Sequence, residues 1–244
     1  MADGNEAGRM SLAVVIPALN EASSLEPTLK SLATQSVRAD RVLVVDGGSG
    51  DGTVAAAEAL AARVLVVPNR GRGGQIAAGV AACDEDAIVV GHADMIFPPC
   101  ALESVRRQLT EDQACPGGCL GHRFDSRRWR YRLIEWLDRR RARRGESYGD
   151  QAQFFRRACL ERVGGFPDQP IMEDVELSRR LRSLGRVAYL DLPVTVSPRR
   201  FERLGWWRVA WANWTFRRAY RRHGLAACQE IYARYYRLGP TEGA

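Results

Sequence analysis

Four segments of the chain set carboxylates, amides and glycines directly behind an apolar run. Pro17-Ala18-Leu19-Asn20-Glu21 follows Leu12–Ile16, and Asp46-Gly47-Gly48-Ser49-Gly50-Asp51-Gly52-Thr53 follows Arg41–Val45. Asn69-Arg70-Gly71-Arg72-Gly73-Gly74-Gln75 follows Arg63–Val67, and Gly91-His92-Ala93-Asp94 follows Ala87–Val90. A carboxylate at the end of an apolar strand, such as Asp46, can accept hydrogen bonds from a base or a ribose. Further along, the adjacent carboxylates Glu173 and Asp174 precede a helical run, where the helix dipole stabilises negative charge. The neighbouring Arg199 and Arg200 carry planar donors that pair well with phosphate oxygens.

The elements needed to hold these groups follow from periodicity. The short apolar runs before the four segments read as buried strands. Between them, Leu25–Gln35, Thr53–Ala62 and Gly74–Ala82 have helical spacing or composition. Strands alternating with helices at this spacing predict βαβ units: an α/β fold whose mostly parallel sheet is flanked by helices. Ligands of such sheets bind beyond the carboxyl ends of the strands. Four polar, Gly-rich or acidic ends on one edge therefore predict a nucleotide-sized crevice. The second half is less regular. Helices are expected over Arg127–Arg144, Val175–Leu184 and Leu204–Arg222, and strands over Ala152–Phe155 and Val187–Leu190. The expected organisation is one domain over residues 11–200 with a C-terminal helical extension over 201–244.

Several classes are excluded. A dinucleotide-binding fingerprint should follow the first strand and open a helix, but the segment there lacks glycine. No GK[ST] sequence exists, so there is no phosphate-binding loop of that kind. The 244 residues are 45% hydrophobic and 27% charged, which is ordinary globular composition. The net charge of +7 conceals an asymmetry: residues 1–100 carry 7 basic and 12 acidic side chains, and residues 101–244 carry 29 and 17. The acidic half holds the expected crevice, and no nucleic-acid-binding signature accompanies the basic half, so nucleic acid is not the expected partner. Cys83, Cys100, Cys115, Cys119, Cys159 and Cys228 form no CxxC pair and read as idle thiols of a reducing, cytoplasmic protein. The polar, acidic N-terminus lacks a secretory pattern, and no apolar run is long enough to span a membrane.

The ordered set VVIPALNE (14–21), VLVVDGGSGDGT (42–53), HAD (92–94), FFRRACLERVGGFPD (154–168) and MEDVELSRRLRSLG (172–185) resembles the family 2 glycosyltransferases, which have the GT-A fold. GRGGQIAAG (71–79), YGDQAQF (148–154) and SPRRFERLG (197–205) are similar to a subgroup labelled arsenosugar-biosynthesis or selenium-domain-associated glycosyltransferases. The family resemblance implies transfer from a nucleotide-diphospho-sugar to an acceptor hydroxyl, by a single displacement with inversion. It implies that Pro17, Ala18, Asn20 and Glu21 shape the nucleoside pocket, that Asp46 contacts base or ribose, and that Gly71, Arg72 and Gln75 border the base or sugar. Many relatives carry a second Asp after the first, where this chain has Gly47.

His92-Ala93-Asp94 stands where the family has its DxD motif, whose carboxylates hold Mg²⁺ or Mn²⁺ against the donor diphosphate. Hard cations favour oxygen ligands, so Asp94 is the expected ligand and His92 at most supports it. The resemblance makes Asp174 the catalytic base, with Glu173 its companion. It turns Asp150 and Gln151 toward the sugar or acceptor, and leaves Arg199 and Arg200 for acceptor or phosphate contact. Helix capping and turn formation are the competing explanations for Glu21, Asp46, Asp94 and Glu173-Asp174.

Trp207, Trp211 and Trp214 recur on one helical face, flanked by Arg208, Arg217, Arg218, Arg221 and Arg222. Such a face suits either an anionic membrane surface, with a lipid-linked acceptor, or burial against the core or in a homodimer. A sugar nucleotidyltransferase and a non-catalytic protein that keeps the fold are the rival functions. The first would carry a Gly-rich loop after strand one. The second draws on His92 in place of an Asp.

Overall fold

The computed structural model describes residues 9–237. Its centre is an eight-stranded sheet in the order β3-β2-β1-β4-β7-β6-β8-β5. The first half builds one side: β1 (Leu12–Ala18), α1 (Ala22–Ala33), β2 (Arg41–Asp46), α2 (Thr53–Ala59), β3 (Arg63–Val66), α3 (Gly71–Ala81) and β4 (Ala87–Val90). The expected strands and helices appear here in their expected order. Each of these strands pairs parallel with its neighbours within the group. All of β1 is buried, as apolar runs covered by helices on both faces must be.

The second half turns the sheet antiparallel. After β5 (Met95–Ile96) and α4 (Ala101–Glu111) come β6 (Gly117–Phe124) and α5 (Trp129–Ala142). A 3₁₀ turn at Gly149–Gln151 leads into β7 (Gln153–Arg156), then α6 (Arg157–Arg162), α7 (Glu173–Arg182) and β8 (Ala188–Val196). The sheet is therefore mixed: β7 runs antiparallel to both β4 and β6, and β5 antiparallel to β8, while β6 and β8 are parallel. An antiparallel β7 has a consequence for the site. Its first residues, and the 3₁₀ turn before them, lie at the carboxyl ends of β4 and β6.

Two apolar clusters sandwich the sheet. One joins Val14, Ile16, Leu25 and Leu29 to Leu102, Val105 and Phe154. The other packs Val15, Ile76 and Val80 against Phe155, Leu177 and Leu181. The described cysteines are all free, and burial pushes the Cys119 thiol up to about 12.

The aromatic helix is organised differently from its sequence expectation. A short α8 (Arg199–Leu204) ends at Gly205, whose φ of 85° breaks the run, and α9 (Trp206–Arg237) starts afresh with a second break at Gly224. Along α9, Val209, Ala212 and Phe216 are buried, and Trp207, Trp211 and Trp214 are exposed. The Trp face does not cover the core; the opposite face does. Ala212, Phe216 and Cys228 close over Met172 and Val175 at the start of α7. The Tyr220 hydroxyl donates to Glu176 at 2.7 Å. Among the described residues no helix is long and apolar enough to cross a membrane.

Candidate active site

Parallel β1–β4 deliver their loops to one edge of the sheet, and these loops bind one another. The Asp46 carboxylate is almost fully buried. It accepts the backbone N–H groups of Gly48 and Ser49, each at 2.9 Å, and the Ser49 hydroxyl. Asn20, at a φ of 53°, accepts from the Gly50 N–H at 2.9 Å. The Glu21 N–H donates to the Thr53 hydroxyl, and Asp51 accepts from Ala22 and Thr53. Gln75 reaches back from α3 and donates to the carbonyls of Ala18 and Val45, at 2.8 and 3.0 Å, so it ties β1 to β2. That side chain also accounts for Gly47. A Cβ there would meet the Gln75 amide nitrogen at 2.6 Å. Pro17 and Ala18 are buried in β1, and Gly71 opens α3 with a φ of 65°.

The crevice has a second bank. Asp94 follows β4 with its carboxylate partly exposed, 3.8 Å from Arg199. Arg199 also grips both oxygens of Glu21, at 2.8 and 3.1 Å, so the segment after β8 is clasped to the loop after β1. Arg200 is exposed on α8 and takes no part in that clasp. Ala93 is buried, and its carbonyl accepts from Thr28.

Glu173 and Asp174 occupy the first turn of α7, behind Met172 in the left-handed region at φ 62°. Glu173 is buried and pairs through one oxygen with Arg72, at 2.6–2.7 Å; its other oxygen has no hydrogen-bond partner. Asp174 accepts the Gly149 N–H at 2.8 Å. Burial, reinforced by the Glu173 charge, pushes the Asp174 carboxyl up to about 6. His92 sits beside this group, and a Cβ on Gly149 would meet its Nε2 at 2.7 Å and Asp174 Oδ2 at 3.6 Å. The His92 Nε2 is buried without a partner, and burial, followed by the nearby Arg72, lowers its pKa. An imidazole held this way is neutral near pH 7, so His92 brings no carboxylate-like charge to the place of an Asp.

Asp150 and Gln151 continue the 3₁₀ turn. Gln151 is buried and accepts the Tyr148 N–H, and its amide nitrogen has no partner. Asp150 is partly exposed, with Oδ2 at 3.9 Å from His122 Nε2 and Oδ1 unpartnered. His122 stands near the end of β6, with Nε2 also 3.6 Å from Asp138 on α5. Ligand atoms of His122, Asp138 and Asp150 lie within 4.8 Å of one another and could hold a divalent ion. Asp138 pairs with Arg141 at 2.5 Å, and burial raises its pKa. Sequence reading does not find His122, Asp138 or Arg141, because they belong to no local motif. Only the β6–β7 pairing and the return of α5 bring them to Asp150.

The geometry thus joins Asn20, Glu21, Asp46, Asp94 and Arg199 around one edge. It joins Arg72, His92, Asp150, Glu173 and Asp174 in an adjoining knot. Gln75 serves the strands rather than the opening.

Comparisons with known proteins agree with this architecture. The family described as glycosyl transferase family 2 matches residues 13–160. The mannosyltransferase PcManGT of Pyrobaculum calidifontis, solved with GDP-Man and Mn²⁺, superposes with a TM-score of 0.66 at 22% identity, over 96% of this chain and 66% of that one. Staphylococcus aureus TarS 1–349 with UDP-GlcNAc gives 0.62 at 16% identity, over 77% and 58%. The glucosyl-3-phosphoglycerate synthase of Mycobacterium tuberculosis, with Mn²⁺, UDP and glucosyl-3-phosphoglycerate, gives 0.56 at 24% identity, over 78% and 72%. The chain spans just under two thirds of the first and 58% of the second. The mixed sheet flanked by helices is the GT-A fold of these glycosyltransferases.

Proposed function

The chain belongs to glycosyl transferase family 2, and on that premise we propose that it moves a sugar from a nucleotide-diphospho-sugar to an acceptor hydroxyl with inversion at the anomeric carbon. The observation that carries this reading is Asp174: a buried carboxylate, fixed by the Gly149 N–H and raised to about 6, beside the polar edge of the sheet. A general base is most effective when its pKa lies near the working pH. Asp174 takes the proton of the acceptor hydroxyl as that oxygen attacks and the nucleoside diphosphate departs. One base suffices for a single displacement, and no covalent glycosyl-enzyme forms.

The loops after β1 and β2 are assigned to the nucleoside, through Pro17, Ala18, Asn20, Glu21 and Asp46. Gly71 and Arg72 border the sugar, and Arg72 pairs with Glu173 next to Asp174. Arg199 is close enough to Asp94 and Glu21 to take up negative charge on the departing phosphate. Mg²⁺ or Mn²⁺ fits this opening: Asp94 offers a partly exposed oxygen donor, which suits a hard cation. Such an ion supplies Lewis-acid stabilisation of the leaving diphosphate. Because His92 replaces the other motif carboxylate, Asp94 would be its protein ligand there. The His122, Asp138 and Asp150 group faces the acceptor side instead. We assign the transferase unit to residues 11–200 and an accessory role to 201–244. The resemblance to the arsenosugar-associated subgroup bears on neighbouring genes and leaves the donor sugar open.

Asp174→Asn tests the assignment. The variant should lose transfer by about 10²–10⁴-fold and keep the donor affinity of the parent, measured by calorimetry with UDP-, GDP- and dTDP-sugars with and without Mn²⁺. Full turnover by Asp174→Asn would remove the base. No binding of any nucleotide sugar by the parent would favour a non-catalytic protein.

A further inference from the structure

The proposed chemistry leaves unused the most apolar exposed surface of the described residues, and that surface spans two helices rather than one. On α5, Trp129 is 72% exposed and Trp136 50%, with Leu133 and Leu137 beside them. On α9, Trp207 is 78% exposed, and Trp211 and Trp214 follow at 63% and 52%. Large apolar side chains gathered in this way mark an interaction site.

Two bridges align the helices. The Arg130 guanidinium lies over the Trp206 ring at 6.0 Å. Arg141 and Arg217 both lie over the Tyr148 ring, at 3.6 and 5.6 Å. Positions 130 and 141 on α5, and 206 and 217 on α9, have the same separation, about 16 Å along a helix axis. The helices therefore run side by side in the same direction. A spacing of eleven residues is close to three full turns, so each pair of bridge positions shares one face. At about 100° per residue, the Trp129–Trp136 stripe lies roughly a quarter-turn from that face on α5. The Trp207–Trp214 stripe lies roughly a quarter-turn away in the opposite rotational sense on α9. For two parallel helices facing each other, these are the same side of the pair.

Arginines predominate around this side. Arg140 stacks on Trp136 at 4.8 Å and Arg218 on Trp214 at 5.3 Å. Arg132, Arg208, Arg221 and Arg222 stand exposed on the two helices, Arg132 paired with Glu135 and Arg221 with Glu146. From Leu204 to Cys228 the chain contains no acidic residue. Tryptophan favours the boundary between headgroups and acyl chains, and each Arg near an anionic leaflet adds attraction. The opposite faces of the two helices are the ones turned to the site: Asp138 on α5 reaches His122, and Ala212 and Phe216 on α9 close over Met172 and Val175 at the start of α7.

We propose that the α5–α9 face seats this protein on an anionic bilayer surface.

Co-sedimentation of the full chain with vesicles tests the docking. Phosphatidylcholine vesicles containing phosphatidylglycerol should pull the protein down at low salt, and pure phosphatidylcholine should not. Trp129→Ala with Trp136→Ala, and separately Trp211→Ala with Trp214→Ala, should each weaken binding at least about tenfold, with unchanged thermal melting. Absence of binding to the anionic vesicles overturns the proposal, as does binding insensitive to both double variants. A dimer in light scattering that either double variant dissolves assigns the face to a second copy and overturns it too. Loss of the α9 effect alone, or of the α5 effect alone, overturns the two-helix surface. The vesicles contain neither donor nor acceptor, so a failed nucleotide-sugar titration leaves this result standing and counts against the transferase reading only.

Discussion

The two banks of the crevice are finished to different degrees. On the bank formed by the loops after β1–β3, the polar side chains are spent on the protein itself. Asp46 holds its own turn, Asn20 holds the next loop, and Gln75 pins two strands. On the opposite bank, atoms of His122, Asp150, Gln151 and Arg141 are shut away from solvent without hydrogen-bond partners. Buried polar groups in native proteins are nearly always satisfied, and each exception calls for an explanation. On the proposed reading, the self-bonded loops of the first bank form a fixed cradle for the nucleotide. The unspent donors and acceptors of the other bank are then the groups left for the acceptor.

The seam between the banks is the place to break this contrast most severely. Gly149 gives its N–H to Asp174 and leaves no room for a methyl group against His92. Gly149→Ala should shift Asp174 or His92 by a sizeable fraction of an ångström, and misplacement near 1 Å can cost about 10²-fold in rate. Initial rates at saturating donor check it; an unchanged rate would mean that His92 yields freely and that the knot is looser than its contacts imply.

The fixed bank should answer in stability. Gln75→Leu removes two donated hydrogen bonds from a buried position while keeping the volume. The cost expected is about 1–3 kcal/mol of unfolding free energy, from desolvated carbonyl groups. Denaturant titration reads it directly.

How much of this was legible beforehand differs between the banks in the same way. The strands of the first half are continuous apolar runs and the loops are local, so Asp46, Asp94 and the edge that holds them follow from order along the chain. β6 does not read as a strand, because Gly117, Gly118 and Gly121 dilute its apolar pattern. The sheet requires them: a Cβ at Gly117 would lie 2.4 Å from the Phe154 carbonyl, and one at Gly118 would lie 2.2 Å from that of Ala188. α4 does carry a visible stripe at Leu102, Val105 and Leu109. The acceptor bank is assembled from β6, α5 and the 3₁₀ turn, and its members are distant in sequence. No spacing rule finds a His on one strand and an Asp on a helix when an antiparallel strand brings them together. The exposure of the Trp face has a similar origin, since the sequence shows its stripe and only packing decides which side of α9 meets the core.

A pH profile sharpens the seam more gently. Asp174 must be ionised to accept a proton, and its carboxyl is held up to about 6 by burial and by Glu173. Turnover should plateau above pH 6 and fall about tenfold for each unit below it; a break near 4 instead would show an ordinary carboxylate at work. The stability linkage has the opposite sense. A carboxyl raised in the folded state binds protons more tightly there than in the unfolded chain. Its contribution to stability is full below about 4 and is lost as pH rises through about 6. Asp174→Asn should therefore melt higher than the parent above pH 6, even as it stops turning over.

The smallest expected change is the most telling for the contrast between banks. Asp150 has an unpartnered Oδ1, its Oδ2 is 3.9 Å from His122, and its side chain is 40% exposed. Asp150→Asn deletes a charge that the folded protein barely uses, so stability should stay within about 0.5 kcal/mol of the parent. The same substitution should raise KM for the acceptor and leave that for the donor unchanged, because the donor bank does not touch it. If Asp150→Asn instead lowers the melting temperature as much as Gln75→Leu does, Asp150 is bound into the fold through His122 and Asp138. The two banks would then be equally committed to structure, and the unspent polarity on the acceptor side would be that of a bound cation or water.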